Sequence, residues 1–300
     1  MRIRPTEAIH FAALGVLTTL AVLVRGRLAD PSGLLRRYGA LAVCLLVIAA
    51  LARRIDRLPA ALQILVDFYP AALLPILFNT LEPLIEASRG DARDRILIAA
   101  DRAIFGVDVT VWLQRLAHPW LSDLMFVFYA TYYFIALTLG AILWARNRAT
   151  ARRFIFTLMV VYYVSYAGYF TIPAHGPRSA QSSEYTVSLT TTPVSNAISE
   201  TIDSLEKTKF DVFPSGHTMV AVAVLLVAWR QARRAFWLLL PVASGLVIST
   251  VYCRYHYAVD VIAGTLLAFV TVPIGDWVYD KLAGRFDFVG AGVNAGRWPA

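Results

Sequence analysis

Apolar residues run in stretches long enough to cross a bilayer, broken by short arginine-rich connections. A hydrocarbon core about 30 Å thick needs about 20 apolar residues in a helix. By that measure the chain predicts helices near 8–24, 38–52, 58–79, 121–144, 154–172, 214–229, 236–253 and 257–279. Two segments break the pattern. Residues 80–120 mix Glu82, Glu86, Arg89, Asp91, Arg93, Asp94 and Arg95 with apolar positions at helical spacing. They read as a surface loop followed by an interfacial amphipathic helix around 102–116, with Trp112 and Trp120 at headgroup depth. Residues 173–213 are rich in Ser, Thr and Pro, with a short helix expected at 195–205.

Composition agrees: 58% of the 300 residues are hydrophobic and 16% charged, with mean hydropathy +0.59. No soluble globule with a mixed polar surface has such a balance, so the chain reads as an all-α, multi-pass integral membrane protein. The net charge of +8 does not point to nucleic acid, because arginines in short loops set topology and meet anionic headgroups. Cys44 and Cys253 are the two cysteines, too few for a disulfide framework or a paired-cysteine zinc site. No small-residue cleavage site follows the first apolar run, which reads as an uncleaved span. The expected organisation is 1–57 as N-terminal spans, 58–280 as the membrane-embedded domain and 281–300 as a cytoplasmic tail.

Arginine counts orient the bundle. Arg146, Arg148, Arg152 and Arg153 fill one connection and Arg230, Arg233 and Arg234 another, which places both in the cytoplasm. Alternation then puts 80–120, 173–213 and 253–256 on the extracytoplasmic face. Only 25–37, with Arg25, Arg27, Arg36 and Arg37, runs against the count.

That face gathers the chemistry. In Arg254-Tyr255-His256-Tyr257-Ala258-Val259-Asp260, a histidine and a carboxylate four residues apart share one helix face. Asp260 is then able to accept a hydrogen bond from one imidazole nitrogen and leave the other free to attack, although a structural pair near a helix end reads the same way. In Phe213-Pro214-Ser215-Gly216-His217, Ser215 caps a helix whose first N–H groups, near Gly216, suit an anion such as phosphate. Arg178 and Arg254 are guanidiniums able to fork phosphate oxygens or to snorkel to headgroups. His175 reads as a loop histidine that competes for a place at the substrate. Together the set suits phosphoryl transfer: one histidine attacks phosphorus, a second protonates the leaving oxygen, and arginines and backbone N–H groups hold the equatorial charge. The arginines supply positive charge that would otherwise come from magnesium, so no metal or other cofactor is expected. Asp67, inside an apolar run, reads as a packing hydrogen-bond partner ahead of a substrate contact, and the tyrosine runs at 128–133 and 162–169 as interface belts and packing.

Phe-Pro-Ser-Gly-His followed by Arg-Tyr-His-Tyr-x-x-Asp resembles the type 2 phosphatidic acid phosphatase superfamily, which also includes vanadium haloperoxidases. The Asp101-Arg102…Trp112-Leu113 and Ile172-Pro173-x-x-Gly176-Pro177-Arg178 segments are more similar to its inositol phosphorylceramide synthase branch. The resemblance runs from about Asp101 to Gly264. It implies a six-helix core, here with one or two extra N-terminal spans for six to eight in all. It also implies His256 as a nucleophile forming a phosphohistidine, His217 as general acid, Asp260 as orienter, and lipid phosphate substrates without a metal. Two motif positions depart from the family: Thr171 stands where a lysine is usual, and Ser249-Thr250 where Ser-Arg is usual.

The expected partner is a lipid phosphate or phospholipid. Water as acceptor gives a phosphatase; inositol or a lipid hydroxyl gives a phosphotransferase. Two other classes stay open on sequence: a transporter using the His/Asp set as a proton relay, and an inactive lipid-binding homologue.

Overall fold

The protein is described from a computed structural model over residues 3–205 and 208–285. Most of the tail expected at 281–300 lies outside the described residues. The helices are α1 (Pro5–Leu23), α2 (Pro31–Ala52), α3 (Ala60–Phe68), α4 (Pro70–Phe78), α5 (Leu81–Arg89), α6 (Asp94–Phe105), α7 (Val109–Leu113) and α8 (Pro119–Ala130). They continue as α9 (Tyr132–Arg146), α10 (Arg148–Tyr169), α11 (Pro177–Ala180), α12 (Pro193–Leu205), α13 (Gly216–Gln231), α14 (Arg233–Tyr252) and α15 (Ala258–Arg285). Among the described residues there is no strand. The fold is that of an all-α integral membrane protein.

Five helices, counting α3 and α4 together, are long and apolar enough to cross a membrane, and the bent pair α8–α9 makes a sixth. Two of the expected spans fall outside that set for physical reasons. The α10 helix opens on Arg148, Arg152 and Arg153, and α13 is only 16 residues long. Both sit at the centre of the bundle instead. The α10 helix packs on α1, α9, α13 and α15, and α13 on α9, α14 and α15. Small and branched side chains such as Val220, Ala221, Ala223, Val224 and Val227 leave α13 buried on nearly every side, as a helix apolar all round requires.

Two spans break midway. Pro70 lacks the N–H that would continue α3, and Thr131 separates α8 from α9 at a 46° bend, its hydroxyl returned to the Phe128 carbonyl.

The end of the bundle away from the histidines is held by charge. Asp67, 3% exposed, accepts from Arg4 Nη1 at 3.1 Å, Arg148 Nη2 at 3.0 Å, Arg152 Nε at 2.9 Å and Trp144 Nε1 at 3.1 Å. The packing partner read from sequence is thus an ionic hub. Arg4 also pairs with Glu7, and Arg153 with Asp276 and Asp280. Residues 80–120 differ from expectation too. Instead of a loop and one helix over 102–116, they form α5, α6 and α7, because Gly106 at φ 73° ends α6 in the left-handed conformation.

Candidate active site

The histidines meet at the end of the bundle where α13 begins and α14 turns into α15. Cis Pro214 leads into Ser215, whose Oγ accepts from Thr218 N at 3.3 Å and from the Thr218 hydroxyl at 3.0 Å. Ser215 therefore caps α13 as expected, with its hydroxyl turned into its own helix rather than toward a ligand. Its N–H donates to the Asp260 carbonyl at 3.2 Å, which fastens the start of α13 to α15. Gly216 is required for space: a Cβ there would lie 2.7 Å from the Tyr169 hydroxyl and 2.8 Å from Ser165 Oγ.

The turn after α14 aims His256. Arg254 adopts φ 66°, unusual for a residue with a side chain, and the Thr250 carbonyl then accepts both Tyr255 N and His256 N at 3.0 Å. The reversal buries His256 to 2% exposure. Its Nδ1 donates to the Val212 carbonyl at 2.9 Å, while Asp260 Oδ2 stands at 3.6 Å. This corrects the sequence expectation, since a backbone carbonyl takes the hydrogen bond assigned to Asp260. Asp260 Oδ2 instead accepts from Tyr257 N at 2.8 Å, and Oδ1 is buried with no hydrogen bond among the described residues. Asp260 Oδ2 remains the nearest carboxyl oxygen to the imidazole, behind the Val212 carbonyl.

The Val212 bond fixes the tautomer. With Nδ1 protonated, Nε2 of His256 carries the lone pair, and it lies 3.2 Å from Nδ1 of His217. His217 Nδ1 is therefore the donor in that contact. Burial, then the neighbouring His217, holds the His256 pKa well below the ordinary histidine value, so the imidazole is neutral at pH 7. The His217 ring is covered by Tyr132 and Tyr129, at centroid distances of 4.1 and 4.7 Å.

The two arginines lie just outside this pair. Arg178 N donates to the Arg254 carbonyl at 2.9 Å, tying the two loops together. Its guanidinium forks Asp203 at 2.9 and 3.1 Å and donates to the Tyr255 hydroxyl at 2.9 Å and Ser199 Oγ at 3.2 Å. Tyr255 in turn stacks on Tyr129 at 4.4 Å. Arg254 donates to the Val187 carbonyl at 2.8 Å and lies 3.8 Å above the Tyr185 ring. Desolvation lowers the Arg254 pKa. His175 is exposed, its ring against Phe210 at 4.6 Å, and no contact joins it to the histidine pair among the described residues. At the two positions that depart from the family pattern, Thr171, Ser249 and Thr250 return their hydroxyls to helix carbonyls three residues earlier and supply no cation.

Sequence reasoning assigned no role at the site to two carboxylates. Asp101 accepts from Ala258 N at 3.0 Å and Val259 N at 2.8 Å, capping α15 from another helix. Asp94 accepts from His175 N and Gly176 N, and from the Tyr257 hydroxyl, each at 2.9 Å. Their signal was a spacing of seven residues, which puts both on the buried face of an amphipathic helix. A cavity of about 340 Å³ begins at His217 and Asp211 and runs past Tyr166 and Tyr132 to Gly140 and Phe154. Tyrosines read as belts and packing thus wall an apolar chamber that reaches His217.

Comparison with known proteins yields one family and one relative. The family model described as the PAP2 superfamily matches residues 95–274. The bacitracin transport permease protein BcrC of Bacillus licheniformis is 28% identical over 157 residues, covering 52% of this chain and 71% of its own length. No solved structure matches significantly.

Proposed function

Because the chain belongs to the PAP2 superfamily, we propose that it removes or transfers the phosphate of a membrane lipid through a phosphohistidine on His256. The carrying observation is the polarised pair: Nδ1 of His256 bonded to Val212 and Nε2 facing His217 at 3.2 Å. A neutral, buried imidazole with its lone pair directed at an acid is a nucleophile in waiting.

In the first half-reaction Nε2 attacks phosphorus, the bond from phosphorus to the lipid oxygen breaks, and His217 protonates that oxygen as it leaves. In-line displacement requires phosphorus between nucleophile and leaving group. The 3.2 Å contact between the rings therefore belongs to the substrate-free state and opens when phosphate enters. Arg178, Arg254 and the N–H groups at the start of α13 stabilise the equatorial oxygens. In the second half-reaction an acceptor gives its proton back to His217 and attacks the phosphohistidine, breaking the P–N bond. Water as acceptor yields free phosphate; an alcohol such as inositol yields a transferred phosphate. The chamber beside His217 suits hydrocarbon, and the arginine-rich connections at the far end support a reaction on the extracytoplasmic side.

The test is phosphate release from phosphatidate, a polyprenyl diphosphate and phosphatidylinositol by detergent-purified protein, with and without added inositol or diacylglycerol, beside His256→Ala. Activity lost in the variant, and acid-labile phosphate trapped on the wild type, support the reading. Activity that survives His256→Ala refutes it. Transport is a second reading, favoured only by the description of the Bacillus relative as a transport permease. Solute uptake that persists in His256→Ala without phosphate release would decide for it.

A further inference from the structure

Asp203 occupies the position on Arg178 that an incoming phosphate needs. Its two oxygens lie 2.9 and 3.1 Å from Nη1 and Nη2, the forked geometry by which guanidinium also grips phosphate. The helix that carries it is fastened at its other end, where Asp123 accepts from the Thr192 hydroxyl and from Ser195 N at 3.2 Å. Ile198 and Ile202 of α12 then pack with Met125, Phe126 and Tyr252. Asp203 is therefore delivered to Arg178 by a docked element, although its own side chain is 51% exposed.

From this competition we infer that Asp203 sets the substrate class: it restricts the site to lipids ending in a terminal phosphate, as monoester or diphosphate, and disfavours phosphodiester donors. The inference rests on the reading of Arg178 as a phosphate ligand. A ligand must offer the fork more than the carboxylate already there. A terminal phosphate brings three free oxygens and about 1.5 to 2 negative charges at pH 7. A phosphodiester brings two free oxygens and a single charge, so it only replaces Asp203 like for like while still being ordered in the site. The half-exposed Asp203 returns to water at small cost when the stronger anion arrives. Arg254 does not alter the balance, since its partners, the Val187 carbonyl and the Tyr185 ring, are neutral and deny nothing to either ligand.

The test uses the full chain in detergent and titrates inorganic phosphate and dimethyl phosphate into wild type and Asp203→Asn by calorimetry. Phosphate should bind the wild type, dimethyl phosphate should not, and Asp203→Asn should tighten phosphate about tenfold and admit dimethyl phosphate, in line with one charge-assisted hydrogen-bond pair. In turnover, the wild type should favour phosphatidate over phosphatidylinositol, and Asp203→Asn should narrow that preference through KM rather than kcat. Weaker phosphate binding in Asp203→Asn would overturn the inference, because Asp203 would then merely hold Arg178 in place. So would a wild type that cleaves both lipids equally. If His256→Ala leaves turnover intact, the phosphohistidine reading fails, and the two titrations still decide the role of Asp203.

Discussion

The carbonyl of Val212 holds Nδ1 of His256 at 2.9 Å, closer than the carboxylate of Asp260 at 3.6 Å. The tautomer is thus set by backbone, with Asp260 as the more distant partner. Asp260→Asn should lower kcat roughly ten- to a hundredfold, the range seen when a supporting partner is lost. A fall of about ten-thousandfold, as when a sole tautomer-setting carboxylate is neutralised, would show that Asp260 and not Val212 orients the ring in turnover.

The depressed pKa of His256 fixes the sign of a pH profile. A nucleophile is active when deprotonated, and burial with His217 alongside moves the protonation of His256 well below the ordinary 6.5. The rate kcat/KM should stay level as pH falls through 6.5 and decline only at lower pH. An acid limb centred at or above 6.5 would contradict the buried, neutral imidazole.

Asp101 reaches from α6 to cap α15. Asp101→Ala leaves the partly buried N–H groups of Ala258 and Val259 without their acceptor, at a cost of at most about 1–3 kcal/mol for each. The variant should unfold at lower temperature and also lose activity, because the helix it releases carries Asp260. Asp101→Asn keeps one acceptor oxygen and should fall between. Equal melting temperatures for Asp101→Ala and wild type would remove Asp101 from the site's support.

At the far end, Asp67→Ala strands three guanidiniums that share one carboxylate. Breaking a buried ionic cluster from one side costs about 3–5 kcal/mol. Thermal unfolding in detergent should register that loss, while KM for a soluble phosphate ester stays near the wild-type value. A large shift in KM with unchanged stability would mean that this cluster communicates with the histidines.

What the sequence made legible follows the strength of local signals. Unbroken apolar runs announce membrane helices, and Pro-Ser-Gly-His and Arg-Tyr-His-Tyr-x-x-Asp announce chemistry because prolines, glycines and histidines punctuate apolar sequence so visibly. The partner of His256 left no trace, since a backbone carbonyl belongs to every residue and Val212 is an ordinary valine. Asp94 and Asp101 were hidden among the charges of a segment that resembles a solvated surface. Asp203 lies 25 residues from Arg178 in a polar connection, where nothing local tells a paired carboxylate from a solvated one. The tyrosines at 132 and 162–169 carry the composition of an interfacial belt, which does not distinguish it from the wall of an internal chamber.

The hub at Asp67 also bears on how the protein is made. Arg4 finds its carboxylate 63 residues later in the chain, and that carboxylate is joined by Arg148 and Arg152 only after a further 81 and 85. Until α10 has been synthesised, Asp67 lacks two of its three cations, and an unneutralised carboxylate in a membrane segment is costly. The first and third apolar segments should therefore settle late, when the arginine-bearing start of α10 arrives. The closing of this hub should therefore wait for the start of α10, which locks the two earlier segments together.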